Sequence, residues 1–479
     1  MDQPFWTDRR VRAALALPDD KGSEIAFSKI STDTRTIGAG DLFVALRGER
    51  FDAHEFLDEA MERGARGAIV DSIPEEGAEG LIYYEVDDTL RALGELARYY
   101  RRHLTAKVAA IVGSNGKTTT KELARAAIGQ HLVVHATEGN LNNLIGVPLT
   151  LLAAPRAADV LVIEVGTNTP GEVARLGRIV EPDLVVITSI AEEHLEGLGD
   201  LEGVLREETS ILESLPPGGV ALVADEPPAL IERARAIAPR IRIAGWGSAA
   251  DPDLSASQIV LDEEGRVSFL WRGAQVSTPM RGRINARNAL LALGLAEEVG
   301  VPMEVAIEGI GRAEGAALRS EFLHCGELMV IADCYNSNPA SLEAAVELLT
   351  ALPRRGGRIA IVGSMRELGA ASAELHSRSA SHLARSARAG ELDLIVATGE
   401  FVEAFESLRD ELGEGLLSAE DPVEVYGALK DRLRGDEVIL LKGSRGVALE
   451  RLIPLLEKEF GDHDETGAVG ADAGRALGE

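Results

Sequence analysis

Four near-continuous apolar runs, VAAIVG, DVLVIEVG, DLVVITSI and GVALVAD, constrain this chain more than any other feature. A strand that is apolar at successive positions has no solvent face, so it belongs in a parallel sheet covered by helices on both sides. Helical stretches separate the runs across 105–313, which makes the class α/β with a central parallel sheet. A second α/β series begins near 314, with LMVIAD, RIAIVGS, DLIVATG and EVILLKGS as its strands. Ahead of it, residues 1–104 alternate short strands (DLFVALRG, RGAIVD) with the helical AHEFLDEAMERGA, and end in a helix, TLRALGELARYYRRH, whose basic C-terminus suits the helix dipole. At 479 residues the chain exceeds the ~250–300 at which single cores stop growing. The expected organisation is 1–104, 105–313 and 314–461, with a small, polar, acidic tail at 462–479 that should be disordered.

Composition narrows the partners. A net charge of −29 works against phosphate backbones and anionic lipid, so no nucleic acid and no membrane insertion are expected. Any polyanionic small molecule must then be held by local Lys, Arg, backbone N–H groups and a divalent cation, which points to Mg²⁺. Cys325 and Cys334 are too few for a disulfide framework and match no zinc spacing. No apolar stretch reaches the ~18–20 residues of a membrane span, and MDQPFWTDRR lacks the pattern of a signal peptide. A cytoplasmic chain is expected.

The segment AAIVGSNGKTTTKE carries a phosphate-loop signature two residues short: only Ser114 and Asn115 separate Gly113 from Gly116, Lys117 and Thr118. It lies between a strand and a helix, where backbone N–H groups and the helix dipole converge on an anion. Gly113 and Gly116 allow close approach, Lys117 offers a charge to the outer phosphates, and Thr118 can ligate Mg²⁺, with Thr119 beside it. The plainer alternative is a Gly-rich turn that binds nothing. Glu164 ends the strand DVLVIEVG, where ligands of open α/β sheets collect, and is a candidate metal ligand. His194, after DLVVITSI, is a second candidate, or else a solvated loop residue. Asn285 and Asn288, three apart in RINARNALLALGLA, are neighbours on one helix face and could read an adenine edge, although an N-cap role explains one of them equally well. Asp333 ends a strand where a ribose hydroxyl could be held, and DCYNSNPAS after it is a turn-forming string.

These residues together resemble the Mur ligase family over nearly the whole chain. STDTRTIGAGDLFVALRGERFDAHEF resembles its UDP-binding first domain, GSNGKTTTKE its short phosphate loop, and GNLNNLIGVPLTLL its Asn-Asn segment. VIEVGTNTPGEVARL, EEHLEGLG, RNALLA, LRSE, IVGSMRELG and LLKGSRG follow in the family's order. CYNSNP is similar to the branch that joins D-alanyl-D-alanine to UDP-N-acetylmuramoyl-tripeptide. The resemblance implies three domains: one for the UDP precursor, a central P-loop-like ATPase, and a Rossmann-like C-terminal domain on the D-alanyl-D-alanine side. It implies that the precursor's terminal carboxylate attacks the γ-phosphate of ATP, and that the dipeptide amine then displaces phosphate from the acyl phosphate.

Carried over by position, Lys117 and the amides of 113–119 hold the phosphates, Thr118 and Glu164 a first Mg²⁺, and His194 a second. Asn285 and Asn288 match the adenine contacts, Asp333 the ribose contact, and Arg319 an arginine that reaches the phosphates. Ser31, Asp33, Thr34 and Arg35 correspond to the UDP side, Asn142 and Asn143 to the Asn-Asn segment, and Tyr335, Asn336 and Asn338 to dipeptide recognition. A monomer is expected.

The chain departs from the family's pattern at several positions. The family usually carries a carbamoylated lysine in the helix after the His loop; Glu208 stands there, and no lysine occurs between Lys121 and Lys430. Glu208 could supply a permanent carboxylate at the second metal, with an arm shorter by roughly 3 to 4 Å, or be a solvated helix residue. Ile284 replaces a His, Ser189 an Asn, Ala332 an Asp and Ser364 an Asp. These changes leave room for two other readings: a nucleotide-binding scaffold that has lost catalysis, and an amide ligase for other substrates.

Overall fold

The computed structural model describes residues 4–18, 25–48, 51–75, 80–354 and 356–461; the expected tail at 462–479 lies outside them. The chain forms two compact units, one of residues 1–316 with 367–370, the other of 317–366 and 371–479.

The first unit is built on a six-stranded sheet whose order is Ile241–Ala244, Val220–Ala224, Leu184–Ile187, Lys107–Val112, Val160–Glu164, Val134–Ala136. All five pairings are parallel. The four apolar runs are its inner strands, fully buried as their composition requires. After the central strand Lys107–Val112 the chain winds to one side, then crosses to the other at Leu184–Ile187. The carboxyl ends of three adjacent strands therefore meet where the strand order reverses, the place where open α/β sheets bind ligands.

One face of this sheet carries an element the apolar runs did not foreshadow. Ala256–Leu261, Arg266–Trp271 and Ala274–Arg281 form a three-stranded antiparallel sheet. Its alternation is plain in RVSFLW, where Val267, Phe269 and Trp271 are buried and the residues between them less so. The expectation of strand–helix units throughout 105–313 is corrected here: DEEG and RG close tight turns between half-buried strands, which a search for continuous apolar runs passes over. The inner face packs into one core with the helices Lys117–Gly129, Asn285–Glu298 and Met303–Gly311. Asn285–Glu298 is apolar almost all round because it runs between the two sheets.

The same unit holds a four-stranded parallel sheet, Ile30–Ser31, Leu42–Val44, Gly67–Val70 and Ile82–Glu85. The helix Thr89–Arg101 links it to the central sheet. Its basic end is used: Arg101 bonds Asp183 at 2.9 Å and Arg98 bonds Glu181 at 2.9 Å.

The second unit is a six-stranded sheet, ordered Glu321–Cys325, Leu328–Asp333, Val438–Lys442, Arg358–Val362, Leu394–Thr398, Leu416–Ala419. Glu321–Cys325 is its antiparallel edge; the other pairings are parallel. Among the described residues, no helix is long and apolar enough to cross a membrane.

Phe269 is fully buried between the antiparallel sheet and the helices. Phe269→Ala should cost about 3–5 kcal/mol. Thermal melting followed by circular dichroism should show the first unit destabilised; an unchanged melting temperature would mean this sheet is not part of the core.

Candidate active site

The strand Lys107–Val112 ends at Gly113, which has a φ of 119°; Gly116, with a φ of 90°, opens the helix Lys117–Gly129. Only glycine takes such angles at no steric cost. The neighbours forbid a side chain as well. A Cβ on Gly113 would lie 2.5 Å from Thr188 Oγ1, and one on Gly116 2.7 Å from Asn288 Oδ1. The loop is thus pressed between the residues after the next strand and the helix Asn285–Glu298.

Its backbone is held from behind. Gly113 N–H donates to Glu208 Oε2 at 2.8 Å, Ser114 N–H to Ser189 O at 2.9 Å, and Asn115 N–H to Ser189 Oγ at 2.8 Å. Ser189 also donates to Asn115 O at 3.1 Å, and Ser114 Oγ accepts from Ala191 N–H at 2.8 Å. Ser189, a departure from the family pattern, is therefore a working clamp. These bonds refine the expectation that all the loop amides meet phosphate. The amides of 113–115 are engaged inside the protein, and the N–H groups of the first helical turn, which no helix satisfies internally, are the ones suited to an anion. Lys117 Nζ folds back onto Gly113 O at 2.5 Å and Ser114 O at 3.4 Å, and Thr118 is buried beside it.

Glu164 ends its strand opposite Ile111 and is 2% exposed. Asn142 Nδ2 donates to Glu164 Oε1 at 2.9 Å, while Glu164 N–H donates to Thr137 Oγ1 at 2.9 Å. Glu164 Oε2 is buried with no hydrogen-bond partner. Asn143 is used differently, its Oδ1 accepting from the N–H groups of Ile145 and Gly146 at 3.1 and 2.9 Å. The Asn-Asn pair so divides into one residue that aims the carboxylate and one that shapes the turn.

His194 sits in the left-handed region, with a φ of 52°, at the start of a short helix. Its Nε2 lies 3.8 Å from Glu193 Oε2, and its Nδ1 meets Glu367, a residue of the first unit. Burial would push the imidazole pKa down, but the two carboxylates outweigh it and hold it above the ordinary value. It is not the solvated loop residue of the plainer alternative.

Asn285 Nδ2 donates to Arg281 O at 2.6 Å and Asn288 Nδ2 to Asn285 Oδ1 at 2.8 Å, so the two amides are one bonded pair. Neither is an N-cap: Ile284 holds that position and makes no side-chain cap bond.

Around Ser31, Asp33 caps the turn Thr34–Thr36 by accepting from Arg35 N–H at 2.9 Å and pairs with the Arg35 guanidinium at 3.0 Å. In the second unit Arg319 stacks 4.3 Å from the Tyr335 ring centre, and Asp333 faces the buried Lys442 at 3.4 Å. Lys442 also donates to Asn336 O at 2.6 Å. Asn338 forms a capping box with Ser341, and Ser337 Oγ beside it is buried without a hydrogen-bond partner. Ser364 accepts from Glu400 N–H at 2.9 Å, and Ala332 is buried within the sheet.

Family models cover the chain in sequence order: the Mur ligase family catalytic domain at 26–101, the Mur ligase middle domain at 111–296, and the Mur ligase glutamate ligase domain at 318–445. UDP-N-acetylmuramoyl-tripeptide--D-alanyl-D-alanine ligase of Bacillus subtilis is 32% identical over 92% of this chain and 95% of its own length. The Escherichia coli enzyme of that name is 34% identical over 91% and 95%. A crystal structure of MurF from Acinetobacter baumannii superposes with a TM-score of 0.86 at 31% identity, covering 95% of this chain and 99% of that one. The chain belongs to the Mur ligase family, in its MurF branch. MurF ligase from Thermotoga maritima in complex with ADP is also similar, with a TM-score of 0.79 at 25% identity, covering 90% of this chain and 97% of that one.

Within this Mur ligase site the residues fit a magnesium ion. Among the described residues no three His, Cys, Asp or Glu side chains form a ready cage. Mg²⁺ does not require one, because it commonly takes one or two carboxylates together with substrate phosphates and water. The orphaned Oε2 of Glu164 and the hydroxyl of the buried Thr118 are donors of the kind such an ion takes.

Glu208 is 1% exposed, which excludes a solvated helix residue. The helix Leu201–Thr209 delivers it together with Glu207, whose carboxylate accepts from Gly171 N–H at 2.7 Å and Val173 N–H at 2.8 Å. Both glutamates hold backbone from beneath. Sequence reasoning passed over Glu193, Ser189 as a clamp, Thr137 and Lys442. A second acidic residue directly before His194 was the available signal for Glu193.

Burial pushes the Glu208 carboxyl up to about 7 from 4.5, with Glu193 adding to the shift and Lys117 opposing it. The folded chain then keeps a proton that the unfolded chain loses, so between those two values stability falls as pH rises. Glu208→Gln removes this proton linkage while its amide oxygen still accepts from Gly113. The ligand-free variant should melt a few degrees above the parent at pH 8, with a flatter dependence between pH 4.5 and 7. A variant that melted lower at pH 8 would contradict the assignment.

Proposed function

We propose that the chain is an ATP-dependent ligase that joins D-alanyl-D-alanine to UDP-N-acetylmuramoyl-tripeptide, a step of peptidoglycan precursor synthesis. The observation that carries this reading is the left-handed glycine loop that opens the helix of Lys117 and Thr118, at the end of a strand paired with the one that ends in Glu164, whose second oxygen has no partner.

Lys117 exchanges the carbonyls of Gly113 and Ser114 for the outer phosphates of ATP. The first turn of its helix supplies N–H groups and a favourable dipole. Thr118 and the Glu164 carboxylate would hold Mg²⁺, which when bound neutralises charge on the phosphates. Asn142 keeps Glu164 from turning away. Phosphoryl transfer asks little covalent chemistry of a protein, so positioning and charge neutralisation carry most of the acceleration. The precursor's carboxylate takes the γ-phosphate, and the dipeptide amine displaces phosphate from the resulting acyl phosphate.

The remaining roles follow the family assignment. Asn285 and Asn288 are read as adenine contacts, Asp333 and Arg319 as ribose and phosphate contacts, and Tyr335, Asn336 and Asn338 as the dipeptide side. In the last group the capping role of Asn338 favours Tyr335, Asn336 and the orphaned Ser337 hydroxyl as the contacting groups. Ser31, Asp33, Thr34 and Arg35 are assigned to the UDP end. We read 1–104, 105–313 and 314–461 as the three domains of a cytoplasmic monomer; the two free, buried thiols suit a reducing compartment.

Phosphate release from ATP should require both UDP-N-acetylmuramoyl-tripeptide and D-alanyl-D-alanine. Lys117→Ala should reduce it about 10³-fold or more, the scale seen when one charge-stabilising group is lost. Release that needed neither partner, or survived the substitution, would refute the reading. Turnover should also be unchanged when CO₂ and bicarbonate are removed, because no lysine lies between Lys121 and Lys430 to be carbamoylated. A drop that bicarbonate restored would contradict this.

A further inference from the structure

Two buried carboxylates feel the charge of Lys117, and they differ in what they do. Glu208 is committed: its Oε2 accepts from Gly113 N–H at 2.8 Å, much as its neighbour Glu207 holds Gly171 and Val173. Glu193 is not. It is 4% exposed, yet neither of its oxygens meets a donor in good hydrogen-bond geometry, and the Ser114 hydroxyl is the one uncharged group beside it that stabilises the carboxylate. The Ser114 hydroxyl near it donates to Ala191 O at 3.2 Å. The nearest cationic groups, Lys117 Nζ and His194 Nε2, each stand 3.8 Å away, beyond hydrogen-bond range.

An ionised carboxylate withdrawn from water costs several kcal/mol unless paired and hydrogen-bonded. In the ligand-free protein Lys117 offsets part of that cost from a distance. Once Lys117 turns to a phosphate chain the offset weakens, and the buried carboxylate is left with a second anion near it. A divalent cation between them relieves both, and a carboxylate with two unused oxygens is the hard ligand that such an ion takes.

We propose that Glu193 ligates a second divalent cation beside the terminal phosphate, together with His194, and that Glu208 braces the loop without touching metal. The proposal rests on the nucleotide reading given above. It also reassigns the carboxylate expected from Glu208. Glu193 stands on the segment after Leu184–Ile187, adjacent to His194, so both ligands would arrive on one loop, whereas Glu208 is tied beneath the glycine turn.

The test is a count of bound Mn²⁺ by electron paramagnetic resonance, on the whole chain with a non-hydrolysable ATP analogue. The parent should bind two ions, Glu193→Gln one, and Glu208→Gln two. Glu193→Asp, which keeps the charge on a shorter arm, should retain the second ion with affinity about tenfold or more weaker. Thermal melting without metal or nucleotide gives an independent reading: Glu193→Gln should melt above the parent, since an unbonded buried charge is gone. A second ion retained at parental affinity in Glu193→Gln, or lost in Glu208→Gln, would overturn the proposal. So would a single ion in the parent, with nucleotide binding intact. No analogue binding in the parent would instead sink the nucleotide reading, and this inference with it.

Discussion

The site depends on one constraint: the turn after Lys107–Val112 can exist only if its backbone is held from below while its far side stays available to an anion. Glu208 takes the first amide of that turn, and Ser189 takes the next two through its carbonyl and hydroxyl. Two otherwise unrelated segments, the helix Leu201–Thr209 and the loop after Leu184–Ile187, are thereby fixed to the loop, and Asn288 of the helix Asn285–Glu298 packs closely against Gly116. Without those bonds the left-handed glycines would be two flexible residues at a strand end. With them the first helical turn is aimed, and Lys117 has a defined place from which to reach.

The same arrangement explains the concentration of buried charge. Glu164, Glu193 and Glu208 are each at most 4% exposed and sit at the carboxyl edge of one sheet. In an acidic protein whose ligands are themselves anionic, that placement is unfavourable until cations arrive. Asn142 and Thr137 orient Glu164 without satisfying its second oxygen. The ligand-free site is thus built with unmet electrostatic demand, which on the function proposed above magnesium and nucleotide together would answer. Preorganisation of this kind costs little at the moment of reaction because the groups are already in place.

Much of this was legible in the sequence, and the reasons differ by element. The parallel strands could be read because burial on both faces leaves an unbroken apolar run, and Glu164 because it ends one of them. The turn after Lys107–Val112 declared itself by glycines at positions where no other residue fits. The antiparallel strands Ala256–Arg281 were hidden by their half-exposed alternation, whose apolar residues are too widely spaced to stand out. Glu193 was hidden for another reason: in EEHLEG nothing local separates a buried acid from a solvated one. Asn338 carried a turn signal that proved to be a helix cap, so local backbone chemistry accounts for a residue that family resemblance gives to substrate.

In the proposed reaction the loop holds the terminal phosphate of ATP for attack by a carboxylate oxygen of the precursor. Labelling that carboxylate with ¹⁸O and analysing the released phosphate by mass spectrometry tests this directly. One labelled oxygen should appear in each phosphate formed with D-alanyl-D-alanine present, because the oxygen that attacked phosphorus leaves with it when the amine closes the new bond. Phosphate free of label, alongside normal product, would show that the carboxylate is activated by some other route.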